Sequence, residues 1–98
     1  MSDKGQEFNT LDLKVEFGEK IKQARIACDL SVEDVFKQSS IPTVKINEIE
    51  SGARTTNNAM QRVYIIKYLK FLNIYNDEMK TLLDQAYENN VDALTHTI

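Results

Sequence analysis

The chain has 98 residues, of which 12 are basic, 15 are acidic and one is a cysteine, and its formal net charge is −3. This length fits a single domain with one hydrophobic core, and the acidic total argues against a protein that coats nucleic acid through its bulk charge. One cysteine excludes an internal disulfide bond, no apolar stretch approaches the roughly 18 residues of a membrane span, and the polar N-terminus lacks a signal sequence, so we expect a cytoplasmic protein.

The first predicted element is a helix from about residue 14 to residue 28. Its apolar side chains recur at helical spacing and would form one buried stripe. They are Phe17, Ile21, Ala24 and Cys28. Asp29 would follow the helix in the left-handed conformation, which aspartate tolerates better than most residues. The polar residues 1–12 predict a flexible arm before this helix.

The second predicted helix is short and ends near residue 39. Ser31 is its predicted N-cap, because a serine hydroxyl can accept a hydrogen bond from a backbone N–H of the first turn. Two acidic residues follow in that turn, where negative charge suits the helix dipole. The apolar face of this helix consists of Val32, Val35 and Phe36.

The third predicted helix starts at about Pro42, since proline fits the first turn of a helix but not its interior. It runs to Glu50 and would bury Ile46 and Ile49. Gly52 follows at the position where a positive φ ends many helices.

A fourth helix is predicted from about residue 59 to residue 72, after a polar loop. Asn76 would cap a fifth helix, because asparagine is a favoured N-cap and acidic residues follow in the first turn. The apolar stripe of the fifth helix is Met79, Leu82, Leu83 and Ala86. Residues 89–98 predict a C-terminal tail, which leaves residues 13–88 as the folded domain.

Two helices joined by a tight turn within about 20 residues form the helix-turn-helix pattern. The stretch from Arg25 to Gly52, RIACDLSVEDVFKQSSIPTVKINEIESG, resembles the Xre/Cro-type helix-turn-helix domain of bacterial and phage repressors. The run from Ile65 to Met79, IIKYLKFLNIYNDEM, resembles the closing helices of that domain. The resemblance covers roughly residues 17–86 and implies an all-α, five-helix bundle of the lambda-repressor type.

This resemblance implies a regulator of transcription that binds duplex DNA as a homodimer. Residues 42–50 would form the recognition helix, whose N-terminal residues enter the major groove. The corresponding positions are Pro42, Thr43, Val44, Asn47 and Glu48, with Lys45 near the DNA backbone. A bidentate pair, here Arg25 with Glu50, would tie the first helix to the third. The alternative for these two residues is a pair of solvated charges.

The net charge hides an uneven distribution along the chain. Residues 1–36 carry a net −3, residues 37–76 a net +4 and residues 77–98 a net −4. The basic middle contains the predicted recognition helix, which makes its cations candidates for phosphate contact. These candidates are Lys37, Lys45, Arg54 and Arg62. The alternative is an ordinary solvated surface.

Four aromatic side chains also recur at helical spacing along the fourth helix and after it. They are Tyr64, Tyr68, Phe71 and Tyr75. A neighbouring apolar stripe contains Ile65, Leu69 and Leu72, and a helix with two such stripes needs either a central position or a partner. The aromatic stripe is therefore core, a homodimer surface or a binding surface for another protein.

A second resemblance supports the last of these alternatives. Residues 30–35, LSVEDV, and residues 63–70, VYIIKYLK, resemble the cytoplasmic helix-turn-helix of RodZ-type cell-shape proteins. This resemblance implies an adaptor that binds an actin-like cytoskeletal protein through Tyr64 and Tyr68 and need not bind DNA. A third alternative is an antitoxin, which combines a repressor fold with a toxin-binding face.

No set of residues indicates catalysis. His96 is the only histidine and lies in the predicted tail, while Cys28 is expected to be a buried structural thiol. One cysteine and one histidine cannot build a usual zinc site, and the chain lacks a glycine-rich phosphate loop. We therefore expect neither an enzyme nor a metal or other cofactor.

Overall fold

The computed structural model of the protein describes residues 10–55 and 57–87. These residues form five helices and no strand, in the order α1 (Thr10–Ala27), α2 (Val32–Ser39), α3 (Thr43–Ser51), α4 (Asn58–Phe71) and α5 (Asp77–Ala86). The prediction of an all-α fold with five helices is confirmed. Within the described residues, no helix has both the length and the apolar character needed to cross a membrane.

The first helix differs from its prediction at both ends. It begins at Thr10, so it includes the last residues of the predicted arm, and it ends at Ala27. Asp29 follows with a φ of 61°, the expected left-handed conformation. Cys28 lies in this turn and is exposed, so the prediction of a buried thiol is wrong. The helix ends before it could carry Cys28 to the core. The predicted tail, with His96, lies outside the described residues.

A reciprocal pair of hydrogen bonds starts α2. The Ser31 hydroxyl accepts a bond from the backbone N–H of Asp34 at 3.0 Å, and the Asp34 carboxylate accepts one from the Ser31 backbone at 2.9 Å. The bond from the Ser31 backbone lowers the pKa of Asp34. Together the two bonds form a capping box, which confirms Ser31 as the predicted N-cap. Phe36, however, is 42% exposed rather than part of the apolar face. Consecutive helical side chains point about 100° apart, and the preceding residue, Val35, is the one that faces the core.

The turn between α2 and α3 is fixed by local hydrogen bonds and by one buried side chain. Ser40 has a φ of 68°, which turns the chain sharply at the end of α2. The Ser39 hydroxyl donates to the Val35 carbonyl at 2.7 Å and accepts a bond from the Ile41 backbone at 3.1 Å. The Ile41 side chain is fully buried, and Pro42 then starts α3 as predicted.

Glycine ends α3 as the sequence predicts. Gly52 has a φ of 72°. Its backbone N–H donates a hydrogen bond to the Ile49 carbonyl at 3.3 Å, which closes the last turn of α3. A Cβ at this position would lie 2.6 Å from the backbone of Val15, so α1 also passes close to this end of α3. Both the conformation and the approach of α1 therefore favour glycine.

The inner face of α3 lies at the centre of the core. The first helix packs against α3 and α5, while α2 and α4 contact α3 from other sides. The residues that are fully buried include Ile21, Val35, Ile41, Ile46, Ile49, Ile65, Tyr68, Leu69 and Tyr87. The predicted burial of Ile46 and Ile49 is confirmed. This packing holds α3 on one side and leaves its other side open.

The last helix also follows its prediction closely. The Asn76 side chain accepts a hydrogen bond from the Met79 backbone at 2.9 Å, which confirms the predicted N-cap. Met79, Leu83 and Ala86 are buried, and Leu82 is half-buried against the same core.

Candidate nucleic-acid interface

A buried ion pair lies beneath α3. The Arg25 guanidinium contacts the Glu50 carboxylate twice, with Nε 2.6 Å from Oε2 and Nη2 3.0 Å from Oε1. This hydrogen bonding raises the pKa of Arg25. A third donor of the guanidinium reaches the Leu30 carbonyl at 2.8 Å. The pair that the resemblance implies therefore exists, and it joins α1 to the C-terminal half of α3.

The fourth helix contributes a further contact to this pair. The Tyr68 hydroxyl donates to Glu50 Oε2 at 2.5 Å. Burial is the main cause that raises the pKa of Tyr68, and the bond to Glu50 adds to it. Arg25, Glu50 and Tyr68 form one network across α1, α3 and α4, which we call the pair network. It fixes the orientation of α3 from inside the protein.

The outer face of α3 is open to solvent at three of the five predicted reading positions. Thr43, Val44 and Asn47 are exposed, and Val44 has an exposed fraction of 58%. Pro42 and Glu48 are half-buried. Thus the first turn and a half of α3 presents two methyl-bearing side chains and one amide outward.

The four predicted phosphate contacts divide into two kinds. Lys37 and Arg54 are exposed and have no ion-pair partner among residues 10–55 and 57–87. Lys45 Nζ is instead 3.3 Å from Glu48 Oε1 and 3.4 Å from Gln61 Oε1. These contacts hold the Lys45 ammonium against α4, although the residue stays half-buried at the edge of the open face.

Arg62 contacts α5 and the residue that follows it. Its Nη2 lies 2.8 Å from Asp84 Oδ1, and its Nη1 donates to the Tyr87 carbonyl at 2.9 Å. Arg62 is therefore not an unpaired cation, and its assignment as a phosphate contact stays a prediction. The sequence shows that Arg62 lies in a basic stretch, but it does not show that Asp84, 22 residues later, pairs with this arginine.

The aromatic stripe is not a continuous surface. Tyr68 is fully buried, so the prediction that it belongs to a partner surface is wrong. The Tyr68 hydroxyl donates to the buried Glu50 carboxylate, and helical spacing alone does not reveal such an acceptor. Tyr64, Phe71 and Tyr75 are half-buried at the edge of the core. The core face of α4 is Ile65, Tyr68, Leu69 and, just beyond the helix, Leu72.

The two fully buried tyrosines give a matched test of the pair network. Tyr68→Phe should reduce the free energy of unfolding by about 1.5–3 kcal/mol, because it removes a hydrogen bond to a buried charged group. Tyr87→Phe should instead raise it by roughly 1–3 kcal/mol, because it removes a buried hydroxyl that has no hydrogen-bond partner among the described residues. Urea unfolding in chloride buffer measures both. Equal losses for the two variants would contradict the assigned role of Tyr68.

Sequence reasoning missed several residues that shape this region. Gly18, inside α1, lies against the backbone at the end of α3. Gln61 and Tyr87 are buried polar residues, and Lys14 is only 7% exposed. A glycine within a helical pattern is a readable signal of close packing. The burial of Lys14 and Gln61 has no such signal, because it depends on contacts between distant segments.

The described residues offer no candidate metal site. Among the described residues, no group of three histidine, cysteine, aspartate or glutamate side chains is arranged to hold a metal ion.

Comparison with known proteins does not assign the chain to a family. The chain matches no protein-family model, no curated protein and no solved structure.

Proposed function

We propose that this protein is a DNA-binding regulator of transcription, with α3 as its recognition helix. The observation that supports this most is the two-sided environment of α3. Its inner face is fixed by Ile46, Ile49 and the pair network, while Thr43, Val44 and Asn47 stay exposed on the outer face. A helix held rigidly with a free outer face is what insertion into a major groove requires.

The exposed side chains offer a simple chemistry for base contact. Thr43 and Val44 carry methyl groups that fit against the methyl group of thymine, and the Asn47 amide can bond to adenine. Lys37 at the end of α2 and Arg54 after α3 are exposed cations, and we expect them to contact backbone phosphates. These few contacts favour modest affinity, and we propose that two copies act together on paired half-sites.

A matched pair of valine substitutions tests the reading face. Val44 on α3 and Val63 on α4 are 58% and 60% exposed, so replacing either with glutamate adds one negative charge at similar exposure. Val44→Glu should weaken binding to a random pool of duplexes by about tenfold or more, because the new carboxylate meets the phosphates. Val63→Glu should change it by less than about threefold. Fluorescence anisotropy at 50 mM salt measures both.

Salt dependence provides the second half of this experiment. Binding of the unmodified protein should weaken steeply as salt rises, with a slope of log affinity against log salt of about −0.9 for each phosphate contact. Circular dichroism would check that both valine variants stay folded. Equal losses for Val44→Glu and Val63→Glu would contradict the proposed reading face. Absence of any salt-dependent binding would contradict DNA binding itself.

A second candidate is a protein-interaction module. Met60 and Val63 are three positions apart on α4 and are both about half exposed, which places two large apolar side chains on one helix face. Such a face would serve an adaptor better than Tyr68, which is buried. If the protein binds no duplex at low salt, this candidate is favoured. Loss of a dimer in Val63→Glu, measured by sedimentation, would then identify the partner as a second copy.

A further inference from the structure

One cation of α3 is held by contacts on two helices. Lys45 Nζ is 3.3 Å from Glu48 Oε1, one turn later on α3, and 3.4 Å from Gln61 Oε1 on α4. The same ammonium lies 5.6 Å from the centre of the Tyr64 ring. Two acceptors and one ring face therefore surround a single charge, and two of these three partners belong to α4.

These contacts fix the Lys45 ammonium more firmly than an ordinary surface ion pair would. Exposed pairs contribute little because long side chains lose entropy when one geometry holds them. The Lys45 side chain is only 29% exposed, and Gln61, which accepts one of its hydrogen bonds, is 1% exposed. Two of the three N–H donors of the ammonium are already used, and they direct it towards Glu48 and α4.

The carboxylate that Lys45 holds lies beside the reading face. Glu48 is four positions after Val44, so the two side chains are neighbours on the surface of α3. The Glu48 side chain is 36% exposed, and among the described residues only its Oε1 accepts a hydrogen bond. The second oxygen, Oε2, keeps its capacity to accept one. An unpaired anion at this position would oppose DNA binding, because it would repel the phosphates.

The Lys45 ammonium changes this balance in two ways. It offsets the charge of the carboxylate, so that Lys45 and Glu48 together are neutral towards the DNA backbone. It also restricts the Glu48 side chain, because one carboxylate oxygen is held while the other stays open. A carboxylate can accept a hydrogen bond from the N4 amine of cytosine in the major groove. An acceptor that is already held loses less conformational entropy on binding than a mobile one does.

We propose that Glu48 determines sequence specificity by accepting a hydrogen bond from cytosine, and that Lys45 is its positioning residue rather than a phosphate contact. This inference rests on the proposed function and deepens it, since the exposed side chains of the outer face account for contacts with thymine and adenine only. It adds a cytosine to each half-site that α3 contacts.

Selection of duplexes from a random pool tests the role of Glu48. The unmodified protein should enrich a cytosine at one position of the half-site, and replacing that base should weaken binding by about tenfold. Glu48→Ala should bind the two duplexes equally, within about twofold, because it lacks the acceptor. Absence of a preferred cytosine would overturn the proposal. A gain in affinity of Glu48→Ala for both duplexes, with the preference retained, would show that Glu48 only repels DNA.

A double-variant cycle tests the role of Lys45. Lys45→Gln should reduce the preference for cytosine by about threefold or more, because it releases the Glu48 carboxylate. In the Glu48→Ala background, the same change should leave the ratio of the two affinities unchanged and the salt slope nearly so. A phosphate contact would instead weaken binding to both duplexes equally in both backgrounds and lower the salt slope by about one. That result would overturn the positioning role.

Lys37→Gln is the matched control for Lys45→Gln. It removes an exposed cation that has no ion-pair partner among the described residues, so it should weaken binding to both duplexes equally and lower the salt slope by about one. Circular dichroism would check that every variant stays folded. If the unmodified protein shows no salt-dependent binding, the proposed function and this inference are both wrong. If it binds and Lys37→Gln behaves as expected, but Glu48→Ala keeps the preference for cytosine, only the inference is wrong.

Discussion

Glu50→Ala is expected to lower the free energy of unfolding by about 3–5 kcal/mol, because it leaves the Arg25 guanidinium without its carboxylate. The side chains of Arg25 and Glu50 are only 10% and 7% exposed, so water cannot replace the lost contacts easily. The Tyr68 hydroxyl would lose its acceptor at the same time. Urea unfolding followed by circular dichroism measures the loss.

Replacing the whole pair network provides the control for this prediction. A buried ion pair often contributes little compared with apolar side chains of similar volume, although breaking one partner is costly. The triple variant Arg25→Met, Glu50→Leu, Tyr68→Phe should therefore recover most of the stability that Glu50→Ala loses. A loss below about 1 kcal/mol in Glu50→Ala would instead indicate a solvated pair.

Local chemistry made much of the fold predictable. The capping serine before α2, the glycine after α3 and the asparagine before α5 each act within one turn of the chain. Such signals need no knowledge of distant contacts, and the corresponding helix ends are placed within one or two residues. The pair of Arg25 and Glu50 was predicted for a different reason, since only the resemblance to a family implied it.

The failed predictions share a dependence on long-range packing. Helical spacing placed Cys28 and Phe36 on apolar faces, but it could not tell where a helix ends or which neighbour faces the core. Spacing likewise could not distinguish Tyr68, whose hydroxyl has a buried acceptor, from half-buried Tyr64. The partner of Arg62 is on another helix. Side-chain assignments of this kind need the tertiary structure.

Among the residues that the sequence did not single out, Gly18 carries the largest expected effect. A Cβ at Gly18 would lie 2.4 Å from the Ile49 carbonyl oxygen and 2.6 Å from that of Glu50. Both are backbone atoms, so no side-chain rotation can relieve the contact, and α1 would have to move away from α3. Gly18→Ala should therefore lower the free energy of unfolding by about 3 kcal/mol.

Two opposing effects make Gly18→Ala informative. Alanine favours a helix interior over glycine by about 1 kcal/mol, so a loose contact between α1 and α3 would make the variant more stable. Lys20→Ala, two residues later at an exposed position of α1, is the control and should change stability by less than about 0.5 kcal/mol. A gain in stability for Gly18→Ala by urea unfolding would contradict the close packing.

Gly18→Ala should also report on the pair network. Because the added methyl group presses on the backbone of Glu50, it shifts the carboxylate that Arg25 and Tyr68 bind. The losses from Gly18→Ala and Glu50→Ala should then be less than additive in the double variant, by about 1 kcal/mol, since residues in contact share their energetic cost. Simple additivity would mean that α1 can move without disturbing the pair. Coupling would show that close approach at Gly18 is what allows Arg25 to reach Glu50 and hold α3 in place.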